Sequence, residues 1–336
     1  MSIDADCGHK SAVRETLPLI TIIVPTRPGQ VEIKAVTAAR QLDYPRELLE
    51  ILVVRGQQPA IQRNAALKVA RGELIYFIDD DSQPLPQNLR HAVARFADPS
   101  VQMLGGPNLC PADAPLLEQV FAVTLASWLA FGPSRARYDR VGELRATSEK
   151  ELILCNLAAR LAPLRELGGF DESLYPNEEN ALMDELQKRG GKLLYDPEFL
   201  VHRRPRPTLR AFVKMLFNYG RGRAEQFRLH PTPGSALNFV PPLFCLYVIL
   251  LPALLLLLAP WWLEALPLGA YAFTVLAQTA WSAARQGMGK SLLALPLVVL
   301  THLIYGLGFW RGLVTRVKSA APENAAAVLI EKIALE

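Results

Sequence analysis

The chain has 336 residues, 51% of them hydrophobic and 20% charged, with a net charge of +4. That length holds two or three folding units, each able to bury a core. Cys7, Cys110, Cys155 and Cys245 show no CxxC or paired spacing, which fits a reducing compartment and argues against a zinc site.

Residues 1–16 read as a polar tail without a signal-peptide core, so the domain that follows is expected in the cytosol. "LPLITIIVPT" is an apolar, β-branched run ended by Pro and predicts a buried strand. "QVEIKAVTAARQLD" then has helical spacing, with Val31, Ala35, Ala38 and Leu42 on one face. "LLEILVV" predicts a second strand and "PAIQRNAALKVARG" a second helix closed by Gly72. "ELIYFI" is a third strand, and Asp79, Asp80 and Asp81 stand at its carboxyl end. This alternation argues for a parallel, doubly wound sheet, in which ligands bind beyond the carboxyl ends of the strands. "NLRHAVARFAD" and "VQMLGGPN" add a helix and a strand. "PLLEQVFAVTLASWLAF" is apolar but carries Glu118 and is short for a span, so it reads as a membrane-surface or core helix. Residues 151–204 run strand, helix, acidic loop, helix, strand.

Beyond this point the composition changes. Residues 231–263, 265–284 and 291–310 contain no Asp, Glu, Lys or Arg. Each is long enough for a helix to cross a hydrocarbon core, about 20 residues. Three transmembrane helices are therefore expected, with Trp261, Trp262 and Trp310 as interfacial anchors. The basic runs "HRRPRPTLR" and "YGRGRAEQFR" just before them suit an anionic cytoplasmic membrane surface, and with a membrane segment adjoining, no nucleic-acid partner is expected. Three spans put the end of the chain outside, yet "RGLVTRVK" follows the third, where the positive-inside rule wants the cytoplasm. The sequence leaves that conflict open. The expected organisation is a tail at 1–16, a catalytic-type domain at 17–230, the spans at 231–312 and a tail at 313–336.

Three side-chain groups carry chemistry. Asp79 and Asp81 are two apart, so in extended chain their carboxylates point the same way and Asp80 points elsewhere. They form either an acidic cap on a solvated loop or a site for Mg²⁺ or Mn²⁺, and the place after a buried strand favours the cation. Glu178 and Glu179 open a helix behind Asn177, as first-turn acids suited to the helix dipole or as a general base. His202 follows a strand-like "YDPEFLV", either as an ordinary surface or core imidazole or as a neutral ligand to the same cation.

"ITIIVPTR", "QRNAALKVARGELIYFIDDDSQP", "LGGFDES", "NEENALMDEL" and "LYDPEFLVHR", in this order, resemble the family 2 glycosyltransferases. The resemblance covers residues 17–228 and implies a GT-A fold, a Rossmann-like, mostly parallel sheet, here followed by C-terminal transmembrane helices. It implies an inverting, metal-dependent transfer from a nucleoside-diphosphate sugar. The apolar tail looks like that of bacterial members acting on lipid-linked acceptors in polysaccharide or glycolipid biosynthesis, with the catalytic domain on the cytoplasmic side of the inner membrane and membrane lipids as partners. Residue by residue, Asp79 and Asp81 match the ends of the DxD motif, Asp79 near the ribose and Asp81 on the metal, with Asp80 between them in the nucleotide-sugar site. Glu179 matches the second acid of the "ED" motif and is the expected base, with Glu178 beside it. His202 matches an imidazole that completes the metal site. Arg63 and Asn64 match an "RN" pair near the nucleotide, and Thr26 and Arg27 lie beside the base pocket.

Two departures stand out. The family's usual Asp after the second strand is absent from "LVVRGQQPA", so Arg55, Gln57 or Gln58 is expected at the base instead. The QxxRW motif of processive synthases is also absent, which favours addition of a single sugar. A polyprenyl-phosphate sugar synthase and a non-catalytic scaffold that binds nucleotide sugars are the alternatives.

Overall fold

The structure is a computed structural model and describes residues 17–174, 178–229, 231, 233–257, 260–315 and 328–335; Cys7, Asn177 and most of the expected tails at 1–16 and 313–336 lie outside the described residues. The first half runs β1 (Ile20–Thr26), α1 (Lys34–Ala39), β2 (Leu49–Arg55), α2 (Pro59–Val69), β3 (Leu74–Ile78), β4 (Gln83–Pro84), α3 (Asn88–Phe96), β5 (Val101–Gly105), β6 (Asn108–Leu109), α4 (Leu116–Leu125), α5 (Trp128–Phe131) and β7 (Arg145–Ala146). The second runs β8 (Asn156–Arg160), α6 (Leu161–Glu166), α7 (Glu178–Lys188), β9 (Lys192–Tyr195), β10 (Val201–His202), α8 (Leu209–Leu229), α9 (Val240–Leu257), α10 (Trp261–Gln286), α11 (Met288–Val314) and β11 (Leu329–Ile333).

One mixed sheet has the order β11-β2-β1-β3-β8-β5-β9-β7. It is parallel at β2-β1-β3 and at β5-β9, with β8 antiparallel between the two parallel groups. The expected α/β sheet with parallel β2-β1-β3 is present, but the sheet is mixed and not parallel throughout: β8, β7 and β11 pair antiparallel with their neighbours. Its central strands are covered on both faces, which is why they read as unbroken apolar runs. Ile23, Leu52, Val54, Ile75 and Phe77 face one core with α2, α6 and α7, while Ile22, Val24, Ile51, Val53 and Tyr76 face the other with α1 and α3. A small second sheet, β4-β10-β6, stands beside it.

The first helix is shorter than its spacing suggests. It spans Lys34–Ala39, and Val31 is 95% exposed in the loop before it. Ala35 N donates to Asp80 O at 3.0 Å, so the helix starts where the acidic turn holds it rather than where the apolar spacing begins.

All three expected apolar segments form helices. Two of these, Ala236–Leu256 and Met288–Val314, are long and apolar enough to cross a membrane. The expected span at 265–284 lies within α10, whose Thr274, Gln278, Thr279 and Ser282 dilute its apolar character. The segment around Glu118 is two helices bent by 61°, and their core faces α8 and α11 through Phe121, Phe212, Leu216 and Leu297. α8 and α11 pack backbone to backbone: a Cβ at Gly220 would lie 2.0 Å from Tyr305 O, and one at Gly308 2.1 Å from Phe217 O.

Glu50 lies in β2 with a buried carboxylate. Burial disfavours its charge, but hydrogen bonds from Arg71 N, the Thr21 hydroxyl, the Arg71 guanidinium and Lys332 outweigh it and bring the carboxyl down to about 2. A depressed folded-state value stabilises the fold above the unfolded carboxyl range and is lost as pH falls toward 2. Glu50→Gln is expected to cost about 1–3 kcal/mol near neutral pH. In thermal melts the gap to wild type should close as the pH drops below about 4.5; a gap independent of pH would show that the carboxylate is not the cause.

Candidate active site

β3 is fully buried and ends at Ile78, so the next three residues emerge at the carboxyl end of the sheet, where α/β sheets bind ligands. Three adjacent carboxylates repel one another unless cations or hydrogen bonds balance them. The structure divides them as expected, but in a turn and not in extended chain, Ser82 N donating to Asp79 O at 3.0 Å. Asp79 and Asp81 turn to one side: Arg203 Nη2 stands 3.2 Å from Asp79 Oδ2, and Arg203 Nε donates to Asp81 Oδ1 at 2.5 Å. Asp80 turns to the other, accepting from the Thr26 hydroxyl at 3.0 Å. Burial raises the Asp80 carboxyl above its ordinary value, and the Thr26 hydroxyl only partly offsets this.

Arg203 is carried by the chain that leaves β10. Its guanidinium charge is opposed by burial, but the Asp79 and Asp81 carboxylates hold it protonated well above the ordinary arginine range. A network of buried polar groups fixes that chain. Tyr76 OH donates to Asn156 Oδ1, Asn156 Nδ2 donates to Phe199 O, and Asn88 Nδ2 donates to Leu200 O. Val201 N and Arg203 N then donate to Pro107 O and Leu109 O. Gly106 permits this approach, because a Cβ there would lie 1.9 Å from Phe199 O.

The two acidic motifs meet at a second guanidinium. Arg63, buried in α2, reaches Asp79 Oδ1 at 3.3 Å through Nη2 and Glu178 Oε1 at 3.2 Å through Nη1. Glu178 is buried and Glu179, next to it in the first turn of α7, is half-buried. Thr26 and Arg55 end β1 and β2 side by side, and Arg27 is exposed at the start of the following loop.

Asn64, expected near the nucleotide, is committed elsewhere. Its Oδ1 accepts from Phe170 N, and its Nδ2 donates to Phe170 O and to Glu172 Oε1, all at 2.8 Å. On a helix, neighbours point about 100° apart, so Arg63 faces the acids while Asn64 locks the "GGFDE" loop. Gly169 in that loop has φ +84°, and a Cβ there would lie 2.3 Å from Asn64 Oδ1.

Among the described residues no three His, Cys, Asp or Glu side chains converge as a metal-ligand group. The donor set nonetheless fits a hard cation. Asp79 and Asp81 already share one positive charge, and Mg²⁺ commonly binds through one or two carboxylates plus substrate phosphates. His202 pairs across from Gln83 in the small sheet, and its buried Nδ1 has no hydrogen-bond partner among the described residues. Burial and the nearby Arg140 lower the His202 pKa, favouring the neutral ligand form. Asp81 and His202 line adjacent clefts that share Lys34, Gln83 and Arg204.

A family profile described as glycosyl transferase family group 2 matches residues 74–310. The chain belongs to that family. Among curated relatives it is similar to the succinoglycan biosynthesis protein ExoA of Rhizobium meliloti, with 29% identity over 187 residues, 56% of this chain and 54% of that one. It is also similar to the pre-mycofactocin glycosyltransferase of Mycobacterium tuberculosis, with 27% identity over 174 residues, 52% of this chain and 36% of that one. The chain thus spans about half or less of the length of these relatives. Two solved structures are also similar. The mannosyltransferase PcManGT from Pyrobaculum calidifontis, in complex with GDP-Man and Mn²⁺, has 18% identity, a TM-score of 0.48 and coverage of 84% of this chain and 86% of that one. S. aureus TarS 1-349 in complex with UDP has 13% identity, a TM-score of 0.40 and coverage of 88% and 90%.

In this member of the family, Arg203 falls within "HRRPR", a run that reads as basic and membrane-facing; its sequence signal is adjacency to His202. Arg137, whose Nη2 donates to Asn180 Oδ1 at 2.9 Å beside Glu179, has no sequence motif to reveal it. Arg203→Ala leaves two neighbouring carboxylates without their shared counter-charge. It is expected to lower Tm by several degrees in EDTA, the size of about 1–3 kcal/mol in a domain of this kind. Mn²⁺ should restore most of that loss and shift the variant's Tm more than the wild type's. A loss that Mn²⁺ does not touch would mean that Asp79 and Asp81 are not a cation site.

Proposed function

We propose that this protein is a membrane-associated, inverting glycosyltransferase that moves one sugar from a nucleoside-diphosphate sugar to a lipid-linked acceptor. The observation that carries this reading is the Arg63 bridge, which brings the Asp79–Asp81 pair and the Glu178–Glu179 pair to one guanidinium. The donor's diphosphate belongs at the first pair, the acceptor hydroxyl at the second.

Glu179 is the base. In the first turn of α7 it takes the proton from the acceptor hydroxyl, and that oxygen forms a bond to the anomeric carbon. The bond from the anomeric carbon to the diphosphate oxygen breaks on the opposite face, so configuration inverts and the nucleoside diphosphate leaves. Glu178, held by Arg63, orients the turn on which Glu179 sits. Asp79 and Asp80 bound the donor pocket, and Thr26 fixes the Asp80 rotamer. Asp81 and His202 would hold a divalent cation, Mn²⁺ or Mg²⁺, which supplies Lewis-acid stabilisation of charge on the leaving diphosphate. Arg203 must then release Asp81. The two apolar helices and the basic α8 support a catalytic domain docked on the cytoplasmic face of a membrane, where a lipid-linked acceptor is presented.

Asp81→Ala and Glu179→Gln are each expected to cut transfer by about 10²–10⁴-fold in the folded protein. Release of nucleoside diphosphate, with Mn²⁺ and a panel of sugar donors, measures this. Full activity in both variants would sink the assignment. Loss in Asp81→Ala with a harmless Glu179→Gln would point to a phosphate acceptor, which needs no base. Asp80→Asn is expected to be milder than Asp81→Asn, because Asp80 faces Thr26 and not the shared cation position; equal damage would contradict that division of the triplet.

A further inference from the structure

β11 follows the last apolar helix in sequence, yet it is an edge strand of the catalytic sheet. It pairs antiparallel with β2 from Leu329 opposite Arg55 to Ile333 opposite Ile51. Ile330 packs into one core and Ile333 into the other, and Lys332 Nζ stands 3.2 Å from Glu50. The family profile stops at residue 310, before this strand.

The strand delivers one carboxylate to the carboxyl end of β2. Glu331 Oε1 accepts from Arg55 Nε at 2.7 Å. Arg55 Nη1 donates at 2.7 Å to Gln30 O, in the loop that leaves Thr26. Both anchors leave groups over: among the described residues, Arg55 Nη2 and the second oxygen of Glu331 make no hydrogen bond. The segment after β2, "GQQPA", contains no acid of its own. A guanidinium donor beside a carboxylate acceptor complements a ring N–H that neighbours a carbonyl. Uracil and guanine present that pattern; adenine and cytosine do not.

We propose that Glu331 and Arg55 form the nucleobase-recognising pair of the donor site, with Glu331 supplied from the far side of the apolar helices. This rests on the glycosyltransferase reading above. Arg55 Nη2 donates to the base carbonyl and Glu331 accepts from the ring N–H. The assignment also fixes topology. Residues 315–328 include Arg316, Lys318 and Glu323 and are too few and too polar to cross a bilayer. β11 therefore lies on the same side of the membrane as the catalytic sheet, and the helices between residues 231 and 315 cross an even number of times. The basic "RGLVTRVK" then sits inside, as the positive-inside rule requires.

The test uses the full chain in membranes or detergent. Wild type is expected to bind UDP or GDP at least tenfold more tightly than ADP and CDP. Glu331→Ala should weaken that binding about tenfold or more and raise the donor KM while kcat stays within about twofold. Glu331→Asp should recover part of the loss. Lys332→Ala, which loosens the other face of the same strand, should leave nucleotide affinity unchanged. Unchanged affinity in Glu331→Ala, equal weakening by Lys332→Ala, or equal binding of ADP and CDP would each overturn the pairing. If transfer still depends on Asp81 and Glu179, such a result leaves the glycosyltransferase reading standing; a wild type that binds no nucleotide overturns both. For topology, Leu329→Cys and Glu143→Cys should gain labelling by an impermeant maleimide, over wild type, from the same side of the membrane. Labelling from opposite sides would overturn the placement of β11.

Discussion

The constraint on which the rest depends is the charge balance at the end of β3. Asp79, Asp80 and Asp81 leave a fully buried strand together, and each needs its own solution. Arg203 answers two of them, Arg63 answers Asp79 a second time, and the Thr26 hydroxyl answers Asp80. Without Arg203, Asp81 loses its cation and Asp79 keeps Arg63 alone. The elements that carry these partners are therefore fixed by the acids: α2 by Arg63, β10 by Arg203, the end of β1 by Thr26. Because Arg63 also holds Glu178, the same balance places the first turn of α7 and with it Glu179.

The parts of this arrangement that sequence makes legible are those with a period. β1, β2 and β3 are covered on both faces, so each appears as an apolar run. Extended-chain alternation leads one to expect Asp80 apart from its two neighbours, but the structure separates them in a turn, where Ser82 N donates to Asp79 O at 3.0 Å. Adjacency without a period misleads. Arg63 and Asn64 look like one motif, but a helix turns them to different partners, and Asn64 spends all its groups on Phe170 and Glu172. Arg203 lies more than 120 residues from the acids it balances, and nothing local distinguishes it from the basic residues around it.

Hydropathy carries a similar ambiguity. α11 is apolar enough to cross a membrane, but an apolar helix can equally be buried by other helices. Its Gly306, Gly308 and Gly312 let other backbones approach closely, at Pro241, Phe217 and Arg221. Its start is tied to α4, where Lys290 Nζ donates to Gln119 Oε1, and its end to α8, where Arg228 Nη1 donates to Gly312 O. Mean hydropathy over a window records none of these contacts, so lipid and protein are indistinguishable to it.

β11 shows why the outer edge of the sheet is the least readable part. "LIEKI" alternates as a strand should, but five residues name no partner and no register. The partner is chosen by charge as well as by shape. Glu50 sits buried in β2, with Thr21 and Arg71 on it, and Lys332 adds a third group from the edge. At the other end of β2, on its opposite face, Arg55 takes the Glu331 carboxylate. A one-residue slip would turn both side chains to the wrong face: in one direction Lys332 comes beside Arg55, in the other Glu331 comes beside Glu50, like charge against like in either case. The register of the strand is thus set by the same physics that orders the acidic turn: buried charges in the sheet select what can stand beside them.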